Sequence, residues 1–203
     1  MVRRSARLAA LLVLVSAVLG ACYLPMRFDT EVAIGRTGLY DMQFDGYVTW
    51  VPLYDKIRRN ALSDAERRQK EQELVTDLKR DSATQRVEVV KPGILRLAWR
   101  KKGDLVETGM VRFLRRNEPL LSLSFDKDTG RIRIEGTQIS RDNARKLADM
   151  GLISQGELRV RTALPAASHN AQQVLDRAGG EKLYVWRIRD LDSPAPRLTL
   201  RLR

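Results

Sequence analysis

Apolar and polar residues alternate one for one through several short stretches of this chain, and that period restricts the fold more than any other feature. Phe28, Thr30, Val32 and Ile34 alternate with Asp29 and Glu31, the repeat of a half-buried β-strand. After the turn GRTG, Tyr40, Met42, Phe44, Val48 and Trp50 share one face. Asp41, Gln43, Asp45 and Thr49 take the other. The two segments predict an opening hairpin that Pro52 stops. Similar patterns recur in QRVEVV, ILRLAWRKK, LVETGMVRFLRR, LLSLSF, RIRIEG, ELRVRTAL, KLYVWRI and RLTLRLR, with the turns KPG, KGD and DKDTG between them.

Helical patterns are fewer. LYDKIRRNAL reads as a short apolar-basic helix. Ser63 and Glu66 form a capping box ahead of a long helix reaching Arg80. Leu74, Val75 and Leu78 give that helix a narrow apolar stripe near its end, and the remainder reads as solvated. Ser140 caps RDNARKLADM, with Gly151 at the position after the C-cap. The chain therefore predicts an α+β fold, a mainly antiparallel curved sheet with two or three helices packed on one face. Residues 28–203 form one domain of a size that can bury a core.

The N-terminus is different in kind. MVRRSAR carries three arginines and no acid, and LAALLVLVSAVL follows. A charged stretch ahead of a short apolar run is the form of an export signal, too short to span a bilayer, which takes roughly 20 residues. A buried core helix is the alternative reading. Next come Leu19-Gly20-Ala21-Cys22, and Cys22 is the one cysteine in the chain. This stretch resembles the lipobox of bacterial lipoproteins. The resemblance implies that residues 1–21 are removed and that Cys22 is acylated, palmitate being a typical chain. Stable membrane anchoring follows from two or more such chains. Residues 22–27 form a short tether reaching roughly 20 Å at most, so the domain sits close to its membrane. Tyr23 is not the aspartate of inner-membrane retention, which implies the periplasmic face of the outer membrane in a Gram-negative host. In a Gram-positive host the place is the outer face of the single membrane.

The formal net charge is +12, of which the signal supplies three units through Arg3, Arg4 and Arg7. Export removes nucleic acid as the partner of so basic a chain. Anionic lipid, glycolipid such as lipopolysaccharide, cell-wall polymer or an acidic envelope protein remains. Arginines outnumber lysines 28 to 9, as a GC-rich genome also produces. Placement is more specific: Arg131 and Arg133, Arg159 and Arg161, Arg187 and Arg189, and Arg197, Arg201 and Arg203 stand at spacings of two or four. On strands of one sheet they make a guanidinium-rich face opposite the core. Like charges side by side are unfavourable, so the pattern calls for a bound anion or intervening acids, unless it is an ordinary solvated face. Arg159, Arg161, Arg187 and Arg189 are the first candidates for contact with a phosphate-bearing ligand, and Arg131 and Arg133 the next.

Catalytic constellations are not evident. His169 is the one histidine, Cys22 is assigned to lipid, and neither a P-loop nor a G-x-G-x-x-G run occurs. The expectation is a non-enzymatic protein with no metal or cofactor. His169 and Asn170 lie in ALPAASHNAQQV, read as a loop that either bonds its own backbone or contacts a ligand. Two other functions stay open. One is an accessory lipoprotein of outer-membrane assembly, offering sheet edges or the helix Ser63–Arg80 to a protein. The other is a hydrolase built around His169.

The C-terminal sequence GELRVRT, then SHNA, then YVWRI resembles the domain of LppM-type bacterial lipoproteins. There a strand leads to an HNA-like loop, and the next strand carries a tryptophan before an apolar residue. The matching positions are Gly156, His169, Asn170, Ala171 and Trp186. The lipobox-like segment and FDTEVAIGRTGLYDMQFDG fit the same layout. The resemblance implies an α+β fold with a curved antiparallel sheet and lipid or glycolipid contact at the envelope.

Overall fold

The computed structural model describes residues 23–114 and 119–202, so Cys22 and the export signal lie outside the described residues. The strands are β1 (Tyr23–Ile34), β2 (Leu39–Trp50), β3 (Thr84–Lys91), β4 (Ile94–Asp104), β5 (Met110–Phe113), β6 (Leu121–Asp126), β7 (Arg131–Gly136), β8 (Gln155–Thr162), β9 (Ala166–His169), β10 (Gln173–Asp176), β11 (Lys182–Ile188) and β12 (Arg197–Arg201). The helices are α1 (Val51–Arg58), α2 (Asp64–Lys79), α3 (Leu105–Thr108) and α4 (Arg141–Asp149). The fold is α+β and its strands pair mostly antiparallel. They form two open sheets, ordered β10-β11-β8-β1-β2-β4-β3 and β5-β6-β7-β12-β9. Among the described residues, the one parallel pair is β1 with β8, Val32 beside Val160.

The two sheets pack face to face. The Phe113 ring of β5 lies 4.6 Å from Phe44 of β2 and 5.0 Å from Trp99 of β4, centroid to centroid. Val32, Met42, Leu97 and Val160 of the first sheet share one core with Leu123, Ile132, Ile134 and Leu200 of the second. Inward residues fall at every second position, as the alternation requires. Burying these side chains is the main favourable term, about 1.5–3 kcal/mol for each large aliphatic group.

Four features depart from the expectation. β1 starts at Tyr23, and Tyr23 and Leu24 are buried. The residues assigned to a tether up to position 27 therefore belong to the sheet. Second, the single strand expected over LVETGMVRFLRR is broken. β4 runs on to Asp104, whose carboxylate accepts from Val106 N at 2.8 Å and starts the short helix α3. Gly109, at φ +69°, ends that turn, and β5 joins the other sheet. Third, the loop ALPAASHNAQQV contains β9 and the start of β10. Its small and amide residues form short strands because β12 and β11 supply ready edges.

The fourth departure concerns α2. Its capping box is formed, with Ser63 N donating to Glu66 at 2.8 Å and Glu66 N to Ser63 at 3.3 Å. Val75 and Leu78 reach the core, as the stripe predicts. Glu71, read as solvated, is buried. It accepts from Gly93 N at 2.7 Å and from Arg67 at 2.9 Å, fastening the helix to the β3–β4 turn.

Candidate functional site

An apolar cleft of about 330 Å³ lies between the two sheets, at the end where β1 begins. Its walls include Phe28, Phe44, Phe113, Leu121, Leu158 and Ile188. Tyr23, Leu24 and Pro25 line it as well, so it reaches the residue that follows Cys22. Leu147 of α4 closes one side, held by a small cluster with Leu24, Val51, Ala144, Leu152 and Leu191.

The space is created around Phe28. The β1–β2 register shifts between Pro25 and Phe28, and Phe28 then stands beside Gly46 on one neighbour and Gly156 on the other. A Cβ on Gly156 would meet the Phe28 carbonyl at 2.4 Å and its ring at 2.6 Å. One on Gly46 would meet the Arg27 carbonyl at 2.6 Å. Only glycines admit this close approach. The Phe28 ring stacks toward Phe44, with centroids 6.0 Å apart.

The rim is polar. Thr137, Gln138, Ser140, Asn143, Asp190 and Ser193 surround the opening. Ser140 caps α4 through the Asn143 N–H at 3.3 Å, and Gln138 accepts from Ala195 N at 2.9 Å. Ser193 accepts from Arg189 N and Asp190 N at 3.1 and 3.2 Å and donates to Asp190 at 3.0 Å. These bonds fix the rim without filling the cleft.

The candidate arginines do not share one face. Arg159, Arg161 and Arg187 lie on the outer side of the first sheet, and Arg131 and Arg133 on β7 of the second. Because the sheets pack by their inner faces, the two groups look away from each other. On the first sheet, acids interleave with the arginines. Arg159 bonds Asp29 at 2.5 Å and Glu157 at 2.8 Å, with Glu31 at 3.8 Å. Arg161 bonds Glu181 at 3.0 Å, and Arg187 reaches Glu157 at 3.4 Å. Glu157, then Asp29, raise the Arg159 guanidinium above its ordinary pKa, and Glu181 does the same for Arg161. The same lattice continues with Arg96–Asp45 and Arg100–Asp41, and Arg100 holds the Asp41 carboxyl below its usual range. Arg189 follows β11 outside the cleft lining, and its backbone N–H bonds Ser193. On β7, Arg133 approaches Asp126 at 3.4 Å, and Arg131 stands opposite Arg201.

The HNA and tryptophan positions are brought together. Trp186 Nε1 donates to Asn170 Oδ1 at 2.8 Å, and Arg197 N donates to the same oxygen at 2.8 Å. Asn170 Nδ2 donates to Ala195 O at 2.9 Å. His169 lies edge-on to Tyr184 at 5.1 Å, and its Nδ1 accepts from Ala171 N at 3.2 Å. This motif joins strands of the two sheets, with the Asn170 amide bonded to protein at both of its ends. Among the described residues, no group of three or more His, Cys, Asp or Glu is placed to hold a metal ion.

The cleft was not anticipated from sequence. The available signal was two glycines, Gly46 and Gly156, inside segments of strand pattern, a mark of close backbone approach.

No protein-family model matches the chain, and no curated protein matches it. Among solved structures, it is similar to the NMR structure of the folded domain of the Mycobacterium tuberculosis LppM protein. The identity is 11%, over 88% of this chain and 90% of that one, with a TM-score of 0.40.

Proposed function

We propose that this chain is a lipid-anchored envelope protein that holds an acyl chain in the cleft between its sheets, without catalysing a reaction on it. One observation carries the reading: a cavity of about 330 Å³ with aromatic and aliphatic walls and a polar rim. That volume stands at the low end of ligand pockets, about 300–1,000 Å³. It suits part of one chain, with the remainder of the lipid outside. The lipobox-like Leu19–Cys22 supports anchoring, at the periplasmic face of the outer membrane in a Gram-negative host. β1 begins at the next residue, so an acylated Cys22 holds this end of the sandwich, and its cleft, at the bilayer surface. The first-sheet arginines serve this reading less well, since their donors already meet carboxylates.

The test is competition between a fluorescent fatty-acyl probe and membrane lipids, in the parent and in Ile188→Trp. The half-buried Ile188 lines the wall, and an indole there occupies the cleft. Saturable binding that falls at least about tenfold in the variant, with circular dichroism unchanged, is the expected result. Equal binding in both proteins sinks the proposal.

A second reading, protein–protein contact, has its own observation. β10 is an edge strand with Val174 and Leu175 exposed, a free edge for strand addition. Crosslinking in the envelope from a benzoylphenylalanine at position 174 tests it. A discrete protein adduct is expected on this reading, and lipid adducts alone count against it.

A further inference from the structure

Five polar or charged residues are buried among the described residues: Thr30, Thr49, Glu71, Ser154 and Thr162. Three have partners. Thr49 donates to Gly93 O at 2.7 Å, Glu71 meets Gly93 N and Arg67, and Thr162 accepts from Leu164 N at 3.1 Å. Thr30 and Ser154, only 4% and 5% exposed, have no side-chain hydrogen-bond partner among the described residues. Both line the apolar cleft. With no protein partner, these hydroxyls open into the cleft, where water or an incoming group supplies the hydrogen bond.

The walls limit what that group is. Among the described residues, no Lys, Arg or His lines the cleft, and the one carboxylate there, Asp190, stands at the exposed rim. An ionised carboxylate or phosphate drawn inside would have no counter-charge, which is strongly unfavourable. A bare hydrocarbon chain, or one joined through an ether, would displace water from the hydroxyls and give little or nothing back. A neutral, strong acceptor that travels with an acyl chain satisfies both conditions, and an ester carbonyl is that group. Resting on the reading of the cleft as an acyl site, we propose that it selects ester-linked acyl lipids, with Thr30 and Ser154 donating to the neutral oxygens of the ester region. Each hydroxyl has one proton to give. The charged headgroup then stays outside, beyond the rim of Thr137, Ser140 and Asn143.

The experiment uses the full chain as its host processes it, in detergent, loaded with a fluorescent acyl probe. The competitors are a diacyl phosphatidylethanolamine and its dialkyl-ether analogue of equal chain length. The parent protein is expected to prefer the ester by about tenfold, as two modest hydrogen bonds give. The double variant Thr30→Val/Ser154→Ala is expected to lose that preference and keep its affinity for the ether. No preference in the parent, or a preference that survives in the double variant, overturns the proposal. If neither lipid displaces the probe, or the probe does not bind, the acyl-site reading itself fails. Where the double variant does not fold, Ser154→Ala alone is measured, and an unchanged ester preference there counts against the assignment.

Discussion

Asn170 and Trp186, sixteen residues apart, are bonded side chain to side chain where the chain passes between the sheets, Trp186 Nε1 donating to Asn170 Oδ1 at 2.8 Å. The same amide receives the first N–H of β12 and donates to Ala195 O, so one side chain ties β11 to the start of β12. Replacing Asn170 with Ala removes three bonds and leaves the indole N–H unmatched. The expected loss is about 2 kcal/mol, or a fall in Tm of roughly 4–8 °C for a domain of this size. Thermal unfolding followed by circular dichroism measures it. A change below a degree means that the clasp is not holding the sheets.

Glu71 offers a sharper contrast. It is buried under α2 with Gly93 N and Arg67 on its two oxygens. Glu71→Ala leaves the Gly93 N–H without its acceptor, while Arg67 keeps Asp64 at 3.2 Å, and is expected to cost about 2–3 kcal/mol. Glu71→Gln keeps an acceptor for Gly93 N and costs about 1 kcal/mol. Urea denaturation of the two variants separates them, and equal losses would show that the Gly93 bond contributes nothing.

Gly156→Ala places a methyl 2.4 Å from the Phe28 carbonyl and 2.6 Å from its ring. Strand and ring must shift, at a cost of about 1–3 kcal/mol, and acyl-probe affinity is expected to fall with stability. Unchanged binding in a folded Gly156→Ala protein would show that the seat of Phe28 does not shape the cleft.

Acid stability follows from the outer face of the first sheet. The Arg100 hydrogen bond, helped by Lys102, holds Asp41 below the ordinary carboxyl range. A depressed folded pKa contributes stability above the unfolded value, near about 3.9, and that contribution is lost as pH falls through the folded value. Asp41→Asn is therefore expected to be less stable than the parent at neutral pH and to converge with it in strong acid. Denaturation curves from neutral pH down to about pH 3 check the sign. A gap that widens in acid contradicts it.

Much of the architecture was legible because alternation and capping are local. β11 at Lys182–Ile188 and the Ser63–Glu66 box lie where the pattern places them. Legibility ended where partners come from far away in sequence. Nothing near Ala166–His169 signals a strand, because β12 supplies its edge. The late arginines alternate correctly, yet period alone does not say that Arg131 and Arg159 belong to different sheets, or that Asp29, 130 residues before Arg159, neutralises it. The cleft depends on Phe28 meeting glycines from β2 and β8, a three-strand relationship that no window of sequence contains.

The central claim is that the cleft, rather than the arginine-bearing sheet face, receives lipid. Methyl NMR of the protein, titrated with a short-chain diacyl phospholipid below its micelle concentration, tests it most directly. The account predicts saturable shifts at Leu121, Leu158 and Ile188, abolished in Ile188→Trp, while the methyls of Val185, cross-strand partner of Arg159, stay in place. Shifts confined to Val185 and its neighbours on that outer face, with the cleft methyls silent, would contradict it.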